Sequence, residues 1–308
     1  MVLAASAPEQ IANLDHEKVA TEIVLRKVTI SYPMSSGTRK TVLSNLDLEI
    51  QAGEFVVVLG ETGCGKSTLL RLVLGQEFPT SGSIEVDGKN VTRIDARCGY
   101  VPQKYSLFPD RSMIQNVMYG PENGYSGWFG RLLPSFRRFR GDLRKEAEAR
   151  LQRMGLRASD FNKYPHQLSG GMQQRVAIAQ ALMMKPPVLL MDEAFSALDP
   201  ATRTSLQQQV RDIWLESRPT ILFVTHNTSE ALLLGSRLIL LGQHQDDTQE
   251  SNVLLDIPLP PFAETIQQRK RSRDFQQLRD YVKQRAYGTG RELDEQAILE
   301  TYDRQATA

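Results

Sequence analysis

The sequence predicts an α/β protein with a parallel-sheet core, a small antiparallel β-subdomain ahead of it, an inserted α-helical subdomain and a mostly helical C-terminal extension. Three observations carry this. Phe55–Leu59, Val188–Met191 and Ile221–Val224 are continuous apolar runs bounded by glycine, proline or charge, the pattern of parallel strands covered on both faces. A glycine-rich turn and a helix follow the first of them. Between the first and second lies a long interval of helical patterning.

Taken in order, residues 1–20 read as a flexible arm without a basic start or continuous apolar core, so no secretion signal is expected. Glu22–Leu25, Val28–Tyr32 and Leu46–Ile50 are short β-branched runs separated by turn-rich stretches. Phe55–Leu59 leads into a glycine-rich turn, then a helix over Thr68–Leu74 that stops at Gly75. Residues 82–101 return to strands, with Asp87–Gly88 a hairpin signal. Helical patterning starts near Ile114, breaks over 120–136 and resumes over Asp142–Met154. A further helix spans Met172–Met184 and ends before Pro186–Pro187. The polar tract Gln243–Asn252 marks a boundary, placing the main domain at 21–243, a linker at 244–252 and the extension at 253–308.

The chain has 308 residues and a net charge of +1, so any polyanion must be held by a local patch. No nucleic acid partner is expected. Two cysteines without a CxxC pair suggest neither a disulfide scaffold nor a cysteine zinc site. The most apolar stretch, Ala231–Leu241, is too short and too interrupted to span a bilayer. If the protein serves a membrane, another chain does the spanning.

Gly60-Glu61-Thr62-Gly63-Cys64-Gly65-Lys66-Ser67, followed by Thr68, fits the GxxxxGK[ST] phosphate loop. Its glycines let backbone N–H groups curl around phosphate oxygens, Lys66 reaches the β and γ phosphates, and Ser67 ligates Mg²⁺. The apolar strand ending in Asp192-Glu193 supplies two acids at a sheet edge. Asp192 can hold the Mg²⁺ water shell and Glu193 can polarise an attacking water. Alternation along a strand leaves a second reading open, in which Glu193 is merely solvated. Leu168-Ser169-Gly170-Gly171-Met172 opens a helix and forms a second anion cradle.

The three motifs in this order resemble the ATP-binding cassette (ABC) family across about residues 22–243. The resemblance implies a RecA-like P-loop NTPase core with a helical subdomain at about 104–185, and an ATPase using ATP and Mg²⁺. It assigns Tyr32 to adenine stacking, Gln103 to contacts with Mg²⁺ and the attacking water, His226 to the γ phosphate, and Ser196-Ala197-Leu198-Asp199 to the dimer interface. Glu193, His226 and Gln103 would then be the catalytic group, with Ser67, Gln103 and Asp192 around the metal. Two such chains, identical or paralogous, would bind head to tail, each ATP lying between one phosphate loop and the other chain's Leu168–Met172.

A separate ATPase subunit, peripheral on the cytoplasmic face of the inner membrane and driving a transmembrane permease with a solute-binding protein in the complex, is what a bacterial importer of this family would need. The signature wording and Ile257–Pro261 are similar to the nitrate, sulfonate and taurine importer branch, which implies a small anion as cargo. The chain departs from that branch in meeting its bases only at Arg269–Arg273. The alternatives are a cassette for lipid traffic or export, and a soluble cassette ATPase outside transport. Gly124–Arg140, with Trp128, Phe129 and a basic run to Lys145, reads as an insertion, either a solvated surface loop or a segment contacting lipid headgroups or the membrane subunit.

Overall fold

A computed structural model of the protein describes residues 23–35, 37–94, 97–104, 106–124, 134–244, 251–259 and 265–287. The expected arm at 1–20, the aromatic stretch holding Trp128 and Phe129, residues 245–250 of the expected linker, Pro260–Pro261 and the last 21 residues lie outside them.

The chain forms two compact units. One comprises Lys104–Pro186 with Ala197–Leu206, and the other the remaining described residues. The larger unit holds two sheets. In the antiparallel one, β1 (Ile23–Pro33) pairs with β2 (Arg39–Ile50) and β4 (Ser81–Val86). The two runs expected as separate strands are one strand, interrupted by register shifts around Lys27, whose φ of 48° is left-handed. An extra residue in that conformation makes a bulge and not a chain reversal. The Asp87–Gly88 signal is a true hairpin: both residues have positive φ (54° and 65°), and β5 (Lys89–Asn90) returns along β4.

The second sheet runs β10-β9-β3-β8-β7-β6. Its strands β3 (Phe55–Gly60), β6 (Cys98–Val101), β7 (Val188–Asp192), β8 (Thr220–Thr225) and β9 (Arg237–Leu241) run parallel to one another. Every residue of β3, β7 and β8 is buried, as continuous apolar strands require. Register sets Leu59 beside Thr225, and Asp192 beside Val224. The C-terminal ends of β3, β7 and β8 therefore share one edge, where open parallel sheets bind ligands. Helix α1 (Lys66–Leu74) leaves β3 through the glycine turn and stops at Gly75, whose φ is 75° and whose N–H caps the Arg71 and Leu72 carbonyls.

The extension expected as mostly helical opens with a strand. β10 (Val253–Pro258) pairs antiparallel with β9, and Arg237 locks it by a two-pronged bond to Asp256 at 2.7 Å on each branch. Sequence patterning reads Val253–Pro258 poorly because its burial simply alternates at a sheet edge. The short α7 (Ile266–Arg269) and α8 (Arg273–Tyr287) follow, and α8 buries Phe275, Leu278 and Val282 while packing on α6 (Thr228–Leu234).

The smaller unit is helical. α2 (Met113–Gly124), α3 (Pro134–Arg153) and α4 (Gly170–Met183) pack on one another around Val117, Leu143, Ala147, Leu151 and Val176. The expected break over 120–136 is shorter than the sequence suggests. Pro121 sits near the end of α2, where little of the helix lies beyond it, and Pro134 opens α3, where no N–H is needed. Arg144–Glu148 and Glu146–Arg150 pairs support the exposed face of α3. Helix α5 (Pro200–Ser217) completes the elements. Among the described residues no helix is long and apolar enough to cross a membrane.

Candidate functional site

Two glycines of the phosphate loop, Gly60 and Gly65, leave no room for a side chain. A Cβ on Gly60 would lie 2.5 Å from both the Cys64 Sγ and the Leu241 carbonyl oxygen. At Gly65, with φ of 103°, it would meet Leu43 at 2.6 Å. The Lys66 ammonium donates to the carbonyls of Gly60 (2.8 Å) and Glu61 (2.7 Å), which fixes a buried cation over the loop. α1 begins with no side-chain cap and no acid in its first turn, so its N–H groups and positive dipole end are left for an anion. Gln243 steadies the loop from outside, donating to the Thr62 carbonyl at 3.1 Å. Cys64 is buried, and burial pushes its thiol pKa up.

Behind the loop, Ser67 donates its hydroxyl to Asp192 Oδ1 at 3.1 Å. Burial raises the Asp192 pKa above the ordinary carboxylate range, although the Ser67 bond pulls the other way. Tyr100 beside it is also raised, first by burial and then by the Asp192 charge. A buried carboxylate with a hydroxyl next to it is a hard-oxygen donor pair that fits Mg²⁺, which takes one or two carboxylates and completes its shell with phosphate and water. Among the described residues no group of three or more His, Cys, Asp or Glu offers a richer cage.

Glu193 settles which way it faces through its backbone. Its φ of 43° breaks the alternation of β7, while its N–H still bonds the Val224 carbonyl at 2.9 Å. The carboxylate is then taken from both sides: Gln103 Nε2 donates to Oε2 at 2.9 Å, and His226 Nδ1 lies 3.0 Å from Oε1. The reading of Glu193 as a merely solvated residue does not hold, since only 16% of its side chain is exposed.

Tyr32 ends β1 with its hydroxyl donating to Glu77, which also pairs with Arg71 of α1 at 3.1 Å. Burial raises its phenol pKa, with the Glu77 bond adding to the effect. The ring is thus pinned at the strand end.

The other expected residues gather in the helical unit. Ser169 caps α4, its Oγ accepting from Met172 N at 3.3 Å. Gly171 closes on Thr202, where a Cβ would sit 3.0 Å from the Thr202 methyl. Asp199 caps α5 by accepting from Ala201 N and Thr202 N, each at 3.1 Å. Hydrogen bonding to Thr202 holds its carboxyl below the usual range. Ser169, Gly170, Gly171, Met172, Ala197, Leu198 and Asp199 line one cavity of about 600 Å³, with Leu168 buried nearby in sequence. Ser196 stays with the larger unit, donating its N–H to the Glu193 carbonyl at 3.0 Å. Sequence reading missed Glu77, Tyr100 and Gln243, which belong to no motif; only the chain's folding brings them to the loop.

An uncapped anion-binding helix start, a hydroxyl–carboxylate pair and an acid held between a glutamine and a histidine define a nucleoside triphosphatase. The model of the ABC transporter family matches residues 43–196, and the chain belongs to that family; it is an ATP-binding subunit that hydrolyses ATP. It is similar to the bicarbonate transport ATP-binding protein CmpD of Synechocystis sp., 36% identical over 275 residues, 86% of this chain and 89% of that one. It is also similar to the nitrate import ATP-binding protein NrtD of the same organism, 39% identical over 262 residues, 82% of this chain and 90% of that one. Among solved structures it resembles the dimeric ATP-binding cassette MJ0796 bound to ADP and Pi, with a TM-score of 0.65 and 32% identity over 78% of this chain and all of that one.

Proposed function

We propose that the protein is the ATP-hydrolysing subunit of a bacterial membrane importer, working as a dimer against a transmembrane permease on the cytoplasmic face of the inner membrane. The observation that carries the reading is the carboxylate of Glu193 held by Gln103 and His226 one residue beyond Asp192. Lys66 and the start of α1 bind the ATP phosphates, and Tyr32 takes the adenine. Glu193 accepts a proton from the water that attacks the γ phosphorus in line, while the bond to the β-phosphate oxygen breaks and ADP leaves. His226 keeps Glu193 aimed and contacts the γ phosphate. Ser67 and Asp192 would hold Mg²⁺ with Gln103 beside it; bound there, the ion neutralises phosphate charge.

The dimer of the MJ0796 cassette supports pairing in which Ser169 and Gly171 of one protomer close on the ATP of the other. The bicarbonate and nitrate relatives support a small inorganic anion as cargo, alongside sulfonate or taurine. Affinity purification of the tagged protein from detergent-solubilised membranes tests the reading. A permease and an associated solute-binding protein are expected in the eluate. Recovery of an exporter's membrane domain, or no membrane protein at all, would contradict import.

A further inference from the structure

Glu230 is a carboxylate with 4% of its surface exposed, in the first turn of α6, four residues beyond His226. A buried carboxylate is tolerable only where hydrogen bonds replace its water. Here Thr225 Oγ1 donates to Oε2 at 2.8 Å, and Gln207 Nε2 donates to Oε1 at 3.2 Å. The Thr225 hydroxyl oxygen in turn accepts from Asn227 N at 3.0 Å. The residues on both sides of His226 are therefore tied to one buried anion. Asn227 adds a second tie, accepting from Ser229 N and Glu230 N through its side chain. Gln207 belongs to α5, the helix that follows directly on the Ser196–Asp199 segment.

We propose that Glu230 is a positioning residue for ATP hydrolysis: through Thr225 and Asn227 it sets the turn that presents His226 to Glu193, and through Gln207 it ties that turn to α5. The inference rests on the reading of Glu193 and His226 given above. His226 itself is about half exposed, so packing alone does not hold it. Its backbone is what the buried network fixes. Glu230 is buried, and it acts through its neighbours.

Steady-state ATP hydrolysis by the full chain tests this with Glu230→Gln, His226→Ala and the double variant. Glu230→Gln keeps size and one acceptor but sets an amide donor against a donor. The expected result is a kcat roughly ten-fold lower or worse, with KM for ATP unchanged, the size of loss that breaking a buried charge-assisted bond brings. In the His226→Ala background, the same substitution should cost nothing further, because its effect already passes through His226. Losses that multiply across the two sites, a rise in KM in place of the fall in kcat, or an undiminished kcat would overturn the proposal. If Glu230→Gln fails to fold, the Thr225 pair decides: Thr225→Ser should keep wild-type turnover and Thr225→Val should lose it without changing KM, whereas equal behaviour of the two overturns the proposal. Should His226→Ala and Glu193→Gln both hydrolyse ATP normally, the reading of the site falls with it; should they fail while Glu230→Gln stays active, only the role of Glu230 falls.

Discussion

Lys66 shows how much a single side chain can hold in this site. Its ammonium is almost fully buried and bonded to two loop carbonyls, so the loop is poised around a positive charge before any phosphate arrives. Lys66→Ala should weaken ATP binding by about 2–3 kcal/mol, roughly thirty- to 150-fold, measured by titration of a fluorescent ATP analogue. Asp192 carries the opposite burden. Its carboxylate is buried with a raised pKa, so the ionised form costs stability while no cation is bound. Asp192→Asn keeps an acceptor for the Ser67 hydroxyl and removes the charge. With EDTA present and nucleotide absent, that variant should melt higher by about 1–2 °C, for a gain of about 1 kcal/mol in a chain of this size, while losing ATP hydrolysis. A lower melting temperature would show that the charge is already compensated in the fold. Which residues mattered was legible for the loop and the acid pair because their spacing is fixed by local geometry. Glu77, Gln243 and Glu230 were not, since each reaches the site from a different element and carries no spacing of its own.

At the scale of elements, glycine marks the points where the fold leaves no alternative. Gly75 ends α1 with positive φ, and a Cβ there would stand 2.2 Å from the Arg93 carbonyl oxygen. Gly75→Ala should therefore lower thermal stability by about 2 kcal/mol or more, since a left-handed alanine is strained and the backbone it meets cannot swing aside. Calorimetry of the nucleotide-free protein checks this; an unchanged transition would mean the Arg93 segment yields. The helix stop was readable because glycine at that place has one common use. Lys27 and Glu193 adopt the same left-handed backbone without being glycine, and nothing in their side chains announces it. For that reason the sequence of β1 reads as two strands, and the direction of Glu193 is set by a backbone conformation its side chain does not mark. β10 was missed for a different reason: its partner β9 lies across a polar tract, and pairing at a sheet edge leaves only weak alternation.

For the whole molecule, two glycine-bearing helix starts occur on one chain, at Gly65 and at Ser169, and in the proposed reading both serve a single enclosed nucleotide. The core sheet collects the phosphate loop, Asp192, Glu193 and His226 at one edge. The helical unit gathers Ser169, Gly171 and Asp199 around a cavity of its own. Parallel strand order and the motif succession made this division readable in outline. In the proposed dimer a second copy of the chain would give each cradle a partner, and ATP would then be the glue between subunits. The most direct measurement is sedimentation of the Glu193→Gln protein with and without ATP. Slowed hydrolysis should leave it dimeric with ATP and monomeric without, and Ser169→Arg in the same protein should abolish the dimer while nucleotide still binds. A Glu193→Gln protein that stays monomeric at saturating ATP, or a dimer indifferent to Ser169→Arg, would contradict a shared nucleotide between opposed cradles.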